Sequence, residues 1–288
     1  MANARRLTQM PVFAMLHSVG TAIASELIPF LESRQIPCLH LLTGAEELRA
    51  PTLSSRQTFY LRASYRQEVR RIIHHLQTLG IFRVALVHED EPFGHGIRAQ
   101  VEAAMQDAAL SLSAVGLIPF NQPTEVQAAA RLIHSVSPNV VIVGSAGASV
   151  ENFVSASHQL GLRTTYYCLS VSNVGRLFKA LGPLSKGVVM TQVMPGLRAS
   201  AMPVVRDYLG ASSEPSSFGL EGFISARVIT GALQATGPQL NRAKFIAMLE
   251  TPPSDQVGGF PIGYPPSTRN GSPFVELAMV GAHGRLLR

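Results

Sequence analysis

VFAMLHSVGTAIASELIPFLE, residues 12–32, is the stretch that decides the fold of this chain. Its apolar run breaks at the small and polar residues 17–21, and apolar residues then return at the spacing of a helix. The pattern predicts a strand, a tight loop and a helix. Small residues in such a loop let the backbone approach a ligand closely, and the free N–H groups of the first helical turn face that ligand. We therefore expect an anionic group to bind there.

The same arrangement occurs a second time in VVIVGSAGASVENFVSASHQL, residues 140–160. Ser145 takes the place of Ser18 in this repeat. Gly147 takes the place of Gly20, and a helix is again predicted to follow. Two such loops, one in each half of the chain, predict two similar lobes that face each other across a cleft.

Composition indicates a globular protein of 288 residues, of which 46% are hydrophobic and 15% charged. The formal net charge of +6 raises the question of nucleic acid. However, the basic residues are scattered and adjacent only at Arg5-Arg6 and Arg70-Arg71, where helical spacing indicates solvated faces. We therefore expect no nucleic-acid partner.

The N-terminus imitates a secretory signal, because Arg5 and Arg6 precede an apolar run and the small residues 22–24. Polar residues interrupt that run, and the helical pattern passes straight through the supposed cleavage site. We therefore predict no signal peptide within this chain. No apolar run reaches the roughly 18 residues that a membrane helix needs.

Strand and helix patterns alternate with short connections through most of the chain, which predicts α/β layers around a mainly parallel sheet. Helices dominate after residue 200, and a Gly/Pro-rich loop at 252–266 precedes a closing strand. The predicted strands after the opening unit are 36–42, 58–62, 82–88, 112–118, 139–143, 164–170, 187–193 and 274–280. The predicted helices are 65–79, 97–110, 125–136, 174–181, 203–208, 218–236 and 242–250.

Cys38 and Cys168 each follow the helix after one of the paired loops, so we expect them on strands in different lobes. A disulfide between them would lock the cleft. Buried free thiols are therefore predicted, and two cysteines leave the redox compartment undecided.

The residues do not favour an enzyme. The loop around Ser145 lacks the glycine that a G-x-S-x-G nucleophile elbow needs at position 143, where Val143 stands. His17 and Ser18 are neighbours on a predicted strand and should point to opposite faces, which would place His17 behind the sheet. A hydrolase that uses Ser18 or Ser145 remains a weaker alternative.

Metal and cofactor sites are not predicted. His74 and His75 are adjacent on a helix and therefore diverge, and neither cysteine has a partner at ligand spacing. Asp90 and Glu91 form a tight acidic pair in a strand-to-helix connection, where such residues usually cap the helix or face solvent.

Binding groups remain, and they lie at strand ends, where open α/β sheets hold ligands. Tyr65 and Phe93 offer rings near the boundary between the predicted lobes. Core packing is the alternative for these rings, and helix capping is the alternative for the loop hydroxyls. The hydroxyl-bearing residues at predicted strand ends are Ser18, Thr21, Thr43 and Ser145.

Seven segments in this order resemble the type I periplasmic binding proteins of the Leu/Ile/Val-binding family, the solute receptors of ABC importers. The resemblance runs from residue 1 to the end of the chain. The segments are VFAMLHSVGTAIASELIPFLE, IPCLHLLTGAEELR, YLRASYRQE, VALVHEDEPFGHG, VVIVGSAGA, GVVMTQVMP and FVELAMVGAHGRL.

The resemblance implies an α/β fold with two doubly wound lobes, joined by three crossovers, that close on a ligand. It assigns residues 1–64 and 196–275 to the first lobe, and residues 65–195 and 276–288 to the second. The chain opens inside what resembles the second helix of the family, so we expect a first lobe that is truncated at the N-terminus, lacks its first strands and has unpaired sheet edges.

The resemblance also assigns site residues in the first lobe. Ser18 matches the serine that receives the ligand's carboxylate, with help from the backbone at Leu16 and with Val19 in the same loop. The segment Leu42-Thr43-Gly44 matches one that gives backbone and hydroxyl contacts to an amino acid. Phe218 falls near an aromatic wall of the site.

In the second lobe, the expected binding residues include Tyr65 and Ser145. Three further positions of the expected site depart from the family pattern. Phe93 stands where a tyrosine often covers the ligand, Ala146 stands where another aromatic is usual, and Ser170 replaces the acid that pairs with an α-ammonium.

Without the acid at position 170, a buried ammonium would need Glu221 or Asp90, because an unpaired buried charge is costly. Ala146 leaves a roomier wall. We therefore expect a carboxylate or amide with a larger apolar body rather than leucine.

The function implied by the resemblance is that of a periplasmic, non-enzymatic receptor. It would deliver a small amino-acid-like, amide or aromatic carboxylate ligand to ABC permease subunits, and it would meet the membrane only through that permease. The alternative is a cytoplasmic ligand-sensing regulatory domain of the same fold.

Overall fold

A computed structural model describes residues 1–49, 57–198, 201–251 and 257–288. Residues 252–256 of the predicted Gly/Pro-rich loop lie outside the described residues. The chain divides into one unit of Met1–Ser64 with Val193–Phe274 and another of Tyr65–Gln192 with Val275–Arg288. The assignment of these two units as ligand-binding lobes stays a prediction.

Helices and strands alternate from residue 15 to residue 192. The α-helices are α1 (Ala2–Leu7), α2 (Thr21–Glu32), α3 (Tyr65–Thr78), α4 (Pro92–Asp107), α5 (Gln127–Val136), α6 (Ala148–Gln159), α7 (Val174–Leu181), α8 (Pro203–Ala211), α9 (Ser217–Thr236) and α10 (Arg242–Glu250). The strands are β1 (Met15–Leu16), β2 (Cys38–Leu39), β3 (Thr58–Phe59), β4 (Val84–Glu89), β5 (Val115–Ile118), β6 (Val140–Gly144), β7 (Thr165–Cys168), β8 (Val189–Gln192), β9 (Glu276–Val280) and β10 (Leu286–Leu287).

The first unit contains a parallel sheet in the order β1-β2-β3. Its core packs Leu39 and Phe59 from the sheet against Phe245 of α10 and the buried ring of Tyr264. β2 pairs on both sides, whereas β1 pairs with β2 alone among the described strands. β1 and β3 are thus the outer strands of this sheet.

The second unit contains a seven-stranded sheet in the order β10-β9-β8-β7-β6-β4-β5. The strands from β4 to β8 run parallel, and β9 runs antiparallel beside β8. All of β6 is buried, and its Val140–Val143 run has the continuous apolar character of a central parallel strand. Alternate residues such as Val141 and Val143 join the core that includes residues of α5, α6 and α7.

Cys38 lies in β2 and Cys168 lies in β7, one in each unit, and both are buried free thiols. The prediction of two buried free thiols is therefore confirmed. Burial raises the pKa of each thiol to about 12, so neither forms a reactive thiolate near neutral pH. Among the described helices, none is both long and apolar enough to span a membrane.

The predicted start of α4 at residue 97 is wrong, because the helix begins at Pro92. Phe93 therefore lies in the first turn of a helix and not in a loop. The glycines at 94 and 96 favoured a loop, yet Gly94 serves a packing role. A Cβ at this position would overlap the backbone carbonyl of Glu89 at the end of β4.

Gly94→Ala should destabilise the protein by about 2 to 3 kcal/mol, because the added methyl group meets rigid backbone. Denaturant unfolding measures the change. Gly231→Ala is the matched control, since Gly231 is exposed in α9 with open space around it, and it should stabilise by about 0.5 to 1 kcal/mol. Equal effects of the two substitutions would contradict the packing role of Gly94.

Candidate functional site

Two predicted binding loops of the first unit lie side by side. We call residues 17–20 the Ser18 loop and residues 40–45 the Thr43 loop. They follow the neighbouring parallel strands β1 and β2, so they leave the sheet at the same edge. The Leu42 N–H donates to the Ser18 carbonyl over 2.9 Å, and Val19 forms a parallel bridge with Leu42. The structure thus brings together two segments that the sequence predicted separately.

The start of α2 has the features of an anion site. Gly20 is the N-cap, with φ of +100°, and no side chain caps the helix. Its first N–H groups are therefore open to a ligand at the positive end of the helix dipole. Ser18 is partly exposed beside this helix start, and Leu16 and Val19 are 49% and 62% exposed. The edge thus combines a polar loop with apolar side chains.

Thr43 and Gly44 are buried, and Thr43 has a structural role. Its Oγ1 lies 2.9 Å from Oγ1 of Thr21, and it accepts the Ala45 N–H over 3.2 Å. These hydroxyls tie the Thr43 loop to the first residue of α2. Ser18 is therefore a better candidate for ligand contact than either threonine.

The prediction that His17 lies on a strand is wrong. β1 ends at Leu16, and His17 adopts a left-handed backbone with φ of +53°, so strand alternation does not apply to it. Its Nε2 lies 2.7 Å from Oγ of Ser225 on α9. The same hydroxyl lies 2.6 Å from Nδ1 of His40, whose Nε2 lies 2.8 Å from the Tyr264 hydroxyl.

His40 is held neutral in this chain of contacts. Burial, together with a smaller electrostatic contribution from nearby His17, lowers its pKa to about 3. Burial also raises the pKa of the Tyr264 hydroxyl well above its ordinary range. Both groups therefore stay uncharged near neutral pH, and the contacts of His40 with Ser225 and Tyr264 are neutral hydrogen bonds.

Glu221, which the sequence analysis named as one of two acids that could pair with a ligand ammonium, is paired with Arg62. Arg62 binds its carboxylate with two hydrogen bonds of 3.0 and 3.1 Å, and both side chains are buried. Asp90 is likewise engaged, at the surface, with His95 over 2.8 Å. Phe218 lies partly buried in the first turn of α9, one turn before Glu221.

In the second unit, Ser145 directly follows β6 and is fully buried. Within the described part of the chain, its hydroxyl has no hydrogen-bond partner. Gly147, with φ of +61°, is the N-cap of α6, and no side chain caps this helix. Capping by Ser145, the alternative role, is therefore wrong. Ala146 next to it is partly exposed.

Tyr65 and Phe93 pack edge to face, with ring centroids 5.3 Å apart, and both are buried. Tyr65 is the first residue of α3 and Phe93 is the second residue of α4. Core packing, the alternative for these rings, accounts for this contact. The contact joins the amino end of α3, where the second unit begins, to the amino end of α4, which follows β4.

Ser170 hydrogen-bonds to Glu68, a buried acid that the sequence analysis did not identify. Its N–H and its hydroxyl each donate to the Glu68 carboxylate over 2.9 Å, and the Thr191 hydroxyl also donates to it. Glu68 is fully buried in α3. Position 170 thus lacks an acid of its own but lies against one. The sequence does carry a signal for this buried acid, because Glu68 lies one turn before Ile72 on the apolar face of α3.

The described residues contain no cluster of three or more side chains able to hold a metal ion. The ends of the described strands are instead surrounded by hydroxyl groups, by helix N-termini without side-chain caps and by paired acids. Such groups can bind a small polar or anionic molecule by hydrogen bonds.

A family model described as periplasmic binding protein matches residues 1–277. The chain belongs to the periplasmic binding protein family. Solved structures share the type I fold of this family, and the resemblance inferred from sequence is confirmed. A search of curated proteins found no match.

Three solved structures illustrate the likeness of this periplasmic binding protein. A possible leucine/isoleucine/valine-binding protein from Rhodopirellula baltica is 24% identical, with a TM-score of 0.91 over 100% of this chain and 80% of its own. A substrate-binding periplasmic protein from Ralstonia solanacearum is 26% identical, with a TM-score of 0.88 over 99% and 83%. A branched chain amino acid ABC transporter protein from Thermus thermophilus, with bound valine, is 16% identical, with a TM-score of 0.84 over 99% and 80%.

These relatives confirm an α/β fold built on parallel sheets. The family consists of substrate-binding proteins rather than enzymes, and its members are typically periplasmic. The binding residues of this periplasmic binding protein stay predictions.

The buried neutral His40 should make stability depend on pH. Its pKa is lowered on folding, from an ordinary 6.5 to about 3, so the unfolded state binds the extra proton between these values. The contribution is negligible above pH 7, and stability falls as the pH drops below 6.5. In urea unfolding at pH 7.5 and 5.5, the loss of stability at the lower pH should be smaller in His40→Gln than in the wild type by about 1.4 kcal/mol. An unchanged pH dependence in the variant would contradict burial of a neutral His40.

The buried Arg62–Glu221 pair should be far more sensitive than a surface pair. Glu221→Gln leaves a buried guanidinium facing a neutral amide and should cost about 3 kcal/mol. The matched control is Asp207→Asn, because Asp207 pairs with Arg227 where both side chains are about half exposed, and it should cost less than about 1 kcal/mol. Denaturant midpoints of the two variants measure the difference, and similar losses would show that the buried pair has no special weight.

Proposed function

We propose that this periplasmic binding protein is the solute-binding receptor of an ABC importer. Its ligand is a small amino-acid-like, amide or aromatic carboxylate molecule, held in the inter-lobe cleft and delivered to the permease subunits. Leu16, Ser18, Val19 and the Leu42-Thr43-Gly44 segment are the proposed contacts of one lobe, with Phe218 as an aromatic wall. Those of the other lobe are Tyr65, Phe93, Ser145, Ala146 and Ser170.

The observation that carries the proposal is the buried hydroxyl of Ser145. Buried polar groups in native proteins have hydrogen-bond partners, and an exception calls for one from a ligand or water. This hydroxyl lies at the carboxyl end of a central parallel strand, directly before a helix without a side-chain cap. Both features favour a polar ligand group at the place where α/β sheets bind their ligands.

The charges of the described residues favour a carboxylate or an amide over an amino acid. A buried ammonium needs an acid, yet Glu221 is bound by Arg62 and Asp90 is bound by His95. Glu68 accepts hydrogen bonds from Ser170 and Thr191. The open start of α2 beside Ser18, by contrast, suits an anionic or carbonyl oxygen.

A thermal-shift screen of leucine, benzoate and benzamide tests the proposal. We expect benzoate or benzamide to raise the melting temperature by several degrees near 100 times its dissociation constant, and leucine to have little effect. Ser18→Ala should weaken the ligand that binds by about 10-fold or more in calorimetry, because a hydrogen bond to an anionic group is lost. Ser145→Ala should weaken it by a similar factor.

One exposed helical serine in each unit provides a matched control. Ser25 lies exposed on α2 and donates to Ala22, and Ser135 lies exposed on α5 and donates to Leu132. Alanine at either position should leave the affinity within about twofold. Tight leucine binding without benzoate or benzamide binding would contradict the ligand class. Binding unaffected by alanine at both Ser18 and Ser145 would contradict the proposed site.

A further inference from the structure

Two histidines occupy equivalent places at the ends of neighbouring strands. Leu16 and Leu39 are register partners and the last residues of β1 and β2, and His17 and His40 directly follow them. Both histidines have left-handed backbones, with φ of +53° and +55°. A left-handed conformation costs free energy at any residue but glycine and persists only where neighbouring contacts hold it. Both strands thus end in a strained turn that opens a binding loop.

One hydroxyl holds both histidines. Oγ of Ser225 lies 2.7 Å from Nε2 of His17 and 2.6 Å from Nδ1 of His40. Ser225 is fully buried on α9, one turn after Glu221. The chain of contacts ends at Tyr264, whose hydroxyl lies 2.8 Å from the other ring nitrogen of His40.

The hydrogen count of this chain sets its direction. Neutral His40 has one donor and one acceptor nitrogen. If the Tyr264 hydroxyl donates to Nε2, then Nδ1–H donates to Ser225, and the Ser225 hydroxyl donates to Nε2 of His17. Every hydrogen then has an acceptor. In the reverse direction the buried Tyr264 hydroxyl would need another acceptor, and among the described residues His40 is its only hydrogen-bond partner.

We propose that Ser225 is a positioning residue that fixes the direction in which the Ser18 loop and the Thr43 loop leave the sheet. The proposal rests on the proposed function of those loops as ligand contacts. Ser225 touches neither Ser18 nor Thr43 in the contacts described above, and it acts through His17 and His40. The loops in turn are joined by the Leu42 N–H, which donates to the Ser18 carbonyl. One buried hydroxyl therefore holds two loops.

A nucleophilic role for Ser225 is the chemical alternative, because a serine beside a histidine can attack a carbonyl. Ser225 is fully buried, however, and its hydroxyl is shared between two rings. These surroundings favour a role in positioning the two histidines over a role as a nucleophile.

Hydrogen exchange of Ser225→Ala tests the proposal without a ligand. The amides to follow are Leu42, bonded to Ser18, and Ala45, bonded to the Thr43 hydroxyl. We expect both to exchange at least about 10-fold faster than in the wild type, through local opening. Amides of α10 such as Phe245 and Leu249 report global unfolding of the same unit. A merely structural serine would speed loop and α10 amides by the same factor, and that result would overturn the proposal.

His17→Gly and His17→Asn separate the strained backbone from the side-chain bond, and they remain informative if Ser225→Ala does not fold. Glycine adopts positive φ freely but cannot reach Ser225. If only the left-handed backbone at position 17 mattered, His17→Gly would leave Leu42 and Ala45 protected, which would contradict positioning. We expect faster exchange of both amides in His17→Gly. His17→Asn, which tolerates the left-handed conformation and keeps a polar side chain, should lie between glycine and the wild type.

A binding measurement distinguishes this proposal from the proposed function. If benzoate or benzamide binds the wild type, Ser225→Ala should weaken it by about 5- to 10-fold although the serine does not touch the ligand. If none of the screened compounds binds, the ligand class fails while the exchange result still decides the role of Ser225. Unchanged affinity together with unchanged loop exchange would overturn the positioning role alone.

Discussion

The structure depends on one constraint, which is that polar groups buried at the carboxyl ends of parallel strands must find hydrogen-bond partners. Ser225 bonds to His17 and His40 at the ends of β1 and β2. Glu68 accepts from Ser170 and Thr191 next to β7 and in β8. Each of these networks lies within one unit and joins a helix to the sheet edge that it covers. Helix position and loop geometry are therefore fixed together, by the same few bonds.

The two loops that are alike in sequence have different surroundings. Ser18 is partly exposed, whereas Ser145 is fully buried and has no partner among the described residues. The difference follows from the sheets, because β1 lies at an open edge and β6 lies between β7 and β4. A strand at the centre of a sheet brings its terminal loop under the loops of both neighbours. Two serines in similar sequence contexts can thus differ in how far they are shielded from water. The buried serine discriminates more strongly against a ligand group that cannot hydrogen-bond to it.

Sequence patterns predicted most elements of the fold, because apolar periodicity reports the buried face of each strand and helix directly. α7 and α10 have the predicted bounds, and the parallel alternation is confirmed. The errors came from residues whose role depends on the partners that the fold brings to them. Gly94 lies in a helix where a side chain would overlap the Glu89 carbonyl, and His17 turns toward a serine more than 200 residues away in sequence. Glu68 and Ser225 share a usable signal, since each is a polar residue on the apolar face of a helix. Such a residue predicts a buried partner without identifying it.

Networks that are complete within one unit have a consequence for binding. A loop that is ordered before the ligand arrives loses little conformational entropy when it binds, so more of the contact energy appears as affinity. The Thr21–Thr43 contact, the Ser225 bonds and the Leu42–Ser18 bond order one side of the proposed site in this way. Under the proposed function the ligand meets loops that are already ordered, and binding needs no remodelling of either loop. A substitution in one of these networks should therefore lower affinity because it disorders a binding loop, even though the substituted residue does not touch the ligand.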